Sequence, residues 1–211
     1  MATDNDPASS VTRAEPARGR PRDPRTQQAI MAATRRLLAR DGYEQVSIES
    51  IAREAEVSRP TVYRRWPSKT HVVFDAVFGP ADSAEVLAGS GEFHSDLRQF
   101  VEGVFRFWRE PVVASATMGI LADRHRDPAL VIRTQQLLDE QTRHDFAALV
   151  RSGIEQGLVR PDLDVEMVYD VLVGTTFYAA QVLQRDDSDD VVSRLCSLIM
   201  QGAATTNEEN P

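Results

Sequence analysis

Cysteine is nearly missing: Cys196 stands alone in 211 residues, so no disulfide can close within the chain and a thiolate zinc site lacks its ligands. Lysine is as scarce, with Lys69 the single one among 24 basic residues. The four histidines show no HxxxH or HExxH spacing, and no nucleophile elbow or phosphate-binding glycine loop occurs. No apolar run approaches the ~18 residues that cross a bilayer, and the start of the chain lacks the apolar core of a signal peptide. Alternating apolar and polar runs bounded by hairpin turns are also missing. These absences argue against membrane, secreted and common enzyme classes. The expectation is a cytoplasmic, non-enzymatic protein without cofactor, metal or membrane partner. The acidic run at 186–190 reads as a solvated loop that caps the following helix, not as a cation site.

Charge, by contrast, is present and unevenly placed. The whole chain carries −8. Residues 1–17 hold one arginine against three acids, a net of −2. Residues 18–78 hold twelve basic against seven acidic residues, a net of +5, and residues 79–211 eleven against twenty-two, a net of −11. Screening confines each patch to about a Debye length, ~8–10 Å, so a basic module can hold a polyanion while an acidic body stays off it.

Residues 1–24 hold four of the eleven prolines and almost no large apolar side chain, the composition of a disordered arm. Its end, Arg18-Gly19-Arg20-Pro21-Arg22, forms a narrow cationic strip suited to a minor groove, with Arg20 at its centre. The alternative is a solubilising linker. From Pro24 the spacing turns helical. Ile30, Ala33, Thr34, Leu37 and Leu38 share one face over 25–40, and Asp41-Gly42 supplies a stop. Ser47 caps a helix carrying Ile48, Ile51 and Ala52; Ser58 caps another carrying Val62; a further helix covers 69–78. Amphipathic stretches follow over 95–109, 112–125, 127–156, 164–184 and 189–201, and residues 204–211 read as a disordered tail. The fold class is all-α, about nine helices, with no internal repeat.

The segment 47–66, SIESIAREAEVSRPTVYRRW, carries the functional signal. Two helices meeting steeply across a tight break need a small residue at the crossing, here Ala52, and apolar inward faces, here Ile51, Ala55, Val57 and Val62, closed by Trp66. The second helix then turns Arg59, Thr61, Tyr63, Arg64 and Arg65 outward. That surface is cationic, hydroxyl-bearing and aromatic, suited to phosphates and base edges. A solvated helix in an ordinary bundle is the bland alternative.

With Gly42-Tyr43, Ser47-Ile48, Ile51-Ala52, Ala55, Val57-Ser58, Thr61-Val62-Tyr63, Trp66 and Ser68-Lys69 in register, residues 25–78 resemble the DNA-binding domain of the tetracycline-repressor (TetR) family of bacterial transcription regulators. The resemblance implies a three-helix DNA-binding domain with a helix-turn-helix, followed over 79–203 by a helical effector-binding and dimerisation domain. It implies DNA contacts from Ser47, Ser58, Arg59, Thr61, Tyr63, Arg64 and Lys69, with Arg59 and Thr61 reading bases, Ser47, Tyr63 and Arg64 on phosphates, and Lys69 anchoring the opposite end of the module. Three positions depart from the family. Pro60, in the first turn of the second helix, rigidifies its entry and biases Arg59 toward extended geometry. Glu56 stands where a turn glycine is usual, and Trp66 where phenylalanine is usual.

Stripes on 164–184 and 189–201, represented by Val168, Val171, Leu172, Thr175, Val191, Leu195, Leu198 and Ile199, are candidates for a four-helix homodimer interface. Family resemblance also implies an apolar effector pocket, for which Phe105, Trp108, Thr117, Met118, Leu121, His125, Phe146 and Tyr178 are candidates. The expected protein is a homodimeric regulator of a palindromic double-stranded operator, acting as a repressor released by a small apolar effector. The competing expectation is a constitutive architectural DNA binder with no effector response.

Overall fold

The computed structural model describes residues 24–79, 89–125, 127–128 and 140–203. Arg20 with its basic strip, the middle of the predicted 127–156 helix, and the tail 204–211 lie outside the described residues. Nine α-helices occur among those described: α1 Pro24–Gln45, α2 Ile48–Glu54, α3 Arg59–Tyr63, α4 Lys69–Phe78, α5 Phe93–Arg109, α6 Pro111–Arg124, α7 Glu140–Glu155, α8 Val165–Phe177 and α9 Ser188–Ala203. A π-helical turn, Tyr178–Val182, continues α8.

Local chemistry sets these boundaries. In α1 the regular helix breaks at Gly42 (φ 76°, ψ 165°), a left-handed conformation that glycine adopts without steric cost. Ser47 and Ser50 close a reciprocal cap at the start of α2, each bonding the other's backbone N–H. Pro111 occupies the first turn of α6, where its missing N–H costs nothing. Asp164 caps α8 by accepting from the Met167 N–H at 3.0 Å. The stretch 164–184 reads as one helix in sequence, yet it widens where the Leu183 N–H reaches back to the Tyr178 carbonyl at 3.0 Å. The Gln181 amide there donates to the Trp108 carbonyl, so a contact with α5 is satisfied at the widened turn.

The apolar interior forms two clusters. The first joins α1, α2, α3 and α4 to the end of α5 and to α6, through Leu37, Ile51, Val62, Phe74, Trp108, Val113 and Ile120 among others. The second lies between α5, α7, α8 and α9, around Phe100, Phe105, Phe146, Tyr169, Leu172 and Leu195. Helix α6 therefore shares a core with the N-terminal helices although it follows them across residue 79. Any displacement of α6 or Trp108 is felt by α4 through close-packed contacts.

Candidate nucleic-acid interface and adjoining cavity

The turn between α2 and α3 is built as the spacing requires. Ala52 is buried at the crossing, and its carbonyl accepts from the Val57 N–H at 2.9 Å. Ile51 and Val62 are fully buried, and Ala55 and Val57 pack against the same core. Trp66 closes it, and its indole Nε1 donates to Asp75 Oδ2 in α4 at 2.6 Å. The larger ring thus comes with a polar tie that phenylalanine could not make.

Glu56 has φ 54°, so the left-handed turn is kept without glycine. A side chain there costs about 1–2 kcal/mol. Glu56→Gly is therefore expected to raise stability by about 0.5–1 kcal/mol once glycine's greater unfolded-state entropy is offset, measured as a rise in urea midpoint. An unchanged or lower midpoint would show that the turn carries no such strain.

Helix α3 is only Arg59–Tyr63, shorter than the spacing suggests, with Pro60 in its first turn. Val62 anchors it from below while its other face is open. Tyr63 is 46% exposed, Ser58, Arg59 and Arg64 are exposed, and Thr61 is half-buried. The Ser58 and Thr61 hydroxyls lie 2.8 Å apart. Arg59 is paired with Glu49 of α2, so its guanidinium must leave that carboxylate to reach a base. Arg65 is turned back toward α1, donating to Gln27 Oε1 at 2.9 Å, which removes it from the outward set. Ser47 is first a cap: its Oγ accepts from the Ser50 N–H at 3.1 Å. Lys69 Nζ donates to the Tyr43 carbonyl at 3.0 Å and lies 4.1 Å from the centre of the Tyr43 ring.

A polar lock ties this module to α6. Tyr43 Oη donates to Asp123 Oδ2 at 2.6 Å, and Thr70 Oγ1 donates to the same oxygen at 3.1 Å. Burial, then the Asp123 carboxylate, push the Tyr43 phenol far above its ordinary range, so it remains a donor. The Tyr43 ring lies directly against Gly119 of α6.

Beside the first core is a cavity of about 250 Å³ lined by Phe78, Trp108, Thr117, Ile120, Leu121, Val173, Gly174 and Phe177. Trp108, Thr117 and Leu121 belong to the sequence-predicted pocket set. The other five candidates do not line it. Met118 is 54% exposed, Tyr178 is exposed, and His125 sits in the exposed turn that ends α6. Phe146 is buried in the second core between Phe100 and Tyr169, with ring centres 5.3 and 5.7 Å away. Phe105 belongs to that core too and borders a charged surface groove between α5 and α9. Aromatic identity did not separate core from cavity. The α6 spacing 117, 120, 121 would have added Ile120, whereas Phe78 and the α8 residues come together through tertiary packing alone.

The interface stripes need a similar correction. Leu172, Val191, Leu195 and Ile199 are buried within their own chain, and Val168 is half-buried against the second core. Val171, Thr175 and Leu198 are exposed. Met167, Tyr178, Val182 and Leu183, which are also exposed, extend that surface. A two-sided apolar helix shows its spacing in sequence, but not which side its own chain covers.

Three sets of matches accompany this geometry. Residues 30–76 match the family described as "Bacterial regulatory proteins, tetR family", and residues 87–199 match "Tetracyclin repressor-like, C-terminal domain". The uncharacterized HTH-type transcriptional regulator YdeS of Bacillus subtilis is 28% identical over 192 residues, covering 90% of this chain and 96% of that protein. A TetR transcriptional regulator from Agrobacterium tumefaciens superposes with a TM-score of 0.68 at 17% identity, covering 87% of this chain and 96% of its own. FadR from Bacillus subtilis, solved in complex with stearoyl-CoA, superposes with a TM-score of 0.63 at 17% identity, covering 83% and 98%.

Proposed function

The chain belongs to the tetracycline-repressor family of DNA-binding transcriptional regulators, and from that premise we propose that it is a homodimeric repressor whose hold on a palindromic operator is released by a small apolar effector. The observation that carries the DNA reading is the outward ridge Ser58–Arg64, with Val62 fully buried beneath it. Arg59 and Thr61 read base edges, and Tyr63, Arg64, Ser47 and Lys69 meet phosphates. Arg20 would extend the contact into the adjacent minor groove.

Two copies joined through the exposed faces of α8 and α9 would set the spacing of the recognition helices. Of the eight large apolar residues exposed among those described, six lie on or between these two helices. The cavity supports the effector. Phe78 of α4 and Trp108 of α5 both line it, and Phe107 bridges them, with ring centres 5.9 Å from Phe78 and 5.2 Å from Trp108. A ligand that separates these rings moves α4 directly, and through α6 it acts on Asp123 and the Tyr43–Thr70 lock. A differential affinity of ~1–3 kcal/mol between the two conformations would give a useful response.

Anisotropy titrations on DNA upstream of the protein's own gene test this reading. Arg59→Ala is expected to cost ~1–3 kcal/mol at one base position and relax preference there. Arg64→Ala should weaken all sequences alike and reduce the salt slope by about one. Glu49→Ala, which frees Arg59 and removes a carboxylate from the DNA side, should tighten binding. Unchanged site preference in Arg59→Ala would overturn the base-reading assignment. DNA binding that no apolar compound perturbs would indicate the constitutive architectural protein instead.

A further inference from the structure

The wall of the 250 Å³ cavity is uniform in one respect: it presents no polar atom to the space it borders, and none of its residues is charged. Two of the lining side chains carry polar groups, and both are turned away. Thr117 donates its hydroxyl to the Val113 carbonyl at 2.6 Å within α6. The Trp108 indole nitrogen is sealed from the open space. Burial is graded across the site. Phe78, Trp108, Thr117 and Ile120 are buried, Leu121, Val173 and Phe177 are half-buried, and Gly174 is exposed. The cavity thus has an apolar floor between α4, α5 and α6 and a mouth beside Gly174 of α8.

Resting on the effector reading above, we infer that this cavity takes a hydrocarbon group of about ten carbons with no heteroatom inside the walls, and that it selects by length rather than by hydrogen bonding. An apolar cavity of ~150 Å³ holds benzene, and the same volume per atom gives about ten non-hydrogen atoms here. A carbonyl or hydroxyl carried inside would give up its water and find neither donor nor acceptor, and an ionised group would find no countercharge. Each methylene withdrawn from water gains about fourfold in affinity until the space is full. Chain that extends past the mouth returns to solvent and adds nothing. Two sources share this chemistry: a free hydrocarbon, and the tail of an amphiphile whose polar end stays in water at Gly174.

Calorimetry on the full-length protein tests the inference with benzene, ethylbenzene, butylbenzene and hexylbenzene, and with butyrophenone as the butylbenzene skeleton bearing one carbonyl. Affinity is expected to rise about fourfold per added carbon up to butylbenzene and to level off by hexylbenzene. Butyrophenone should bind about tenfold more weakly than butylbenzene, or worse. A phenylbutanol with its hydroxyl at the chain end separates the sources. Affinity close to that of butylbenzene assigns the tail of an amphiphile, and affinity as low as the ketone's assigns a free hydrocarbon. Two substitutions move the length limit in opposite directions. Leu121→Ala deepens the cavity, so affinity should go on rising through hexylbenzene. Gly174→Leu adds a side chain where a Cβ meets nothing within 4 Å, so the helix accepts it. It narrows the mouth and should end the rise before butylbenzene.

The inference is overturned if the ketone binds as tightly as butylbenzene, if affinity ignores chain length, if neither substitution shifts the length at which it levels off, or if no hydrocarbon binds up to its solubility limit. A DNA titration on the same samples keeps the two readings apart. A protein that binds its operator yet takes none of the hydrocarbons refutes the ligand class alone, and one that binds no DNA refutes the regulator.

Discussion

Gly119→Ala is expected to lower stability by about 1–3 kcal/mol, the cost of overpacking a filled core. The sign is informative because glycine to alanine within a helix ordinarily stabilises by about 1 kcal/mol. Here a Cβ would overlap three carbon atoms of the Tyr43 ring. That ring is hard to displace: its hydroxyl is held by Asp123 and lies 3.0 Å from Thr70 Oγ1, and Lys69 lies over its face. The clash would push α1 and α6 apart at the junction between the DNA-binding module and the body. Thermal and urea denaturation measure the loss, with ~2–4 °C expected per kcal/mol for a chain of this size. Operator affinity should fall in parallel, since α4 is tied to the same lock through Thr70. Combining Gly119→Ala with Tyr43→Ala removes the clashing ring, so the pair should be less destabilising than the sum of the two. Strict additivity, or a stabilised Gly119→Ala protein, would contradict the packing described.

The second large effect separates exposed from buried members of the terminal stripes. Val171 is 41% exposed and Leu198 61% exposed, so Val171→Glu with Leu198→Glu should leave each protomer's fold within about 1 kcal/mol of the original. If α8 and α9 form the dimer interface, the same charges become buried and unpaired on association. The variant should then sediment as a monomer at concentrations where the parent is a dimer. Its operator affinity should fall by ~10²–10⁴-fold, because the second half-site is no longer held near the first. Leu172→Ala is the contrasting substitution. That side chain is fully buried in its own chain, so the expected loss is about 2–5 kcal/mol of folding stability. Sedimentation that places parent and double variant in the same state would refute this interface. The double variant unfolding as Leu172→Ala does would show that the two residues are core rather than surface.

The helix-turn-helix was legible from residues 47–66 because its constraints are local. A small residue at the crossing, a serine cap on the first helix and one buried valine under an outward ridge are separated by fixed numbers of residues, and the backbone carries that spacing into space; the cap expected from Ser58 does not form, because its hydroxyl pairs with Thr61 Oγ1 instead. Helical boundaries elsewhere were legible for the same reason, through Gly42 and Ser47. What periodicity could not convey was the identity of the neighbour. Leu195 and Leu198 are equally apolar and three residues apart, yet one is 3% and the other 61% exposed. Phe146 and Trp108 are both buried aromatics, yet only Trp108 borders the cavity. The pairing of Arg59 with Glu49, the turning of Arg65 toward Gln27 and the lock of Tyr43 on Asp123 likewise join different helices. Short-range order follows from torsional preference and helical pitch, which each segment contains within itself. Burial, cavities and ion pairs depend on which surfaces meet, and that is settled when the whole chain packs.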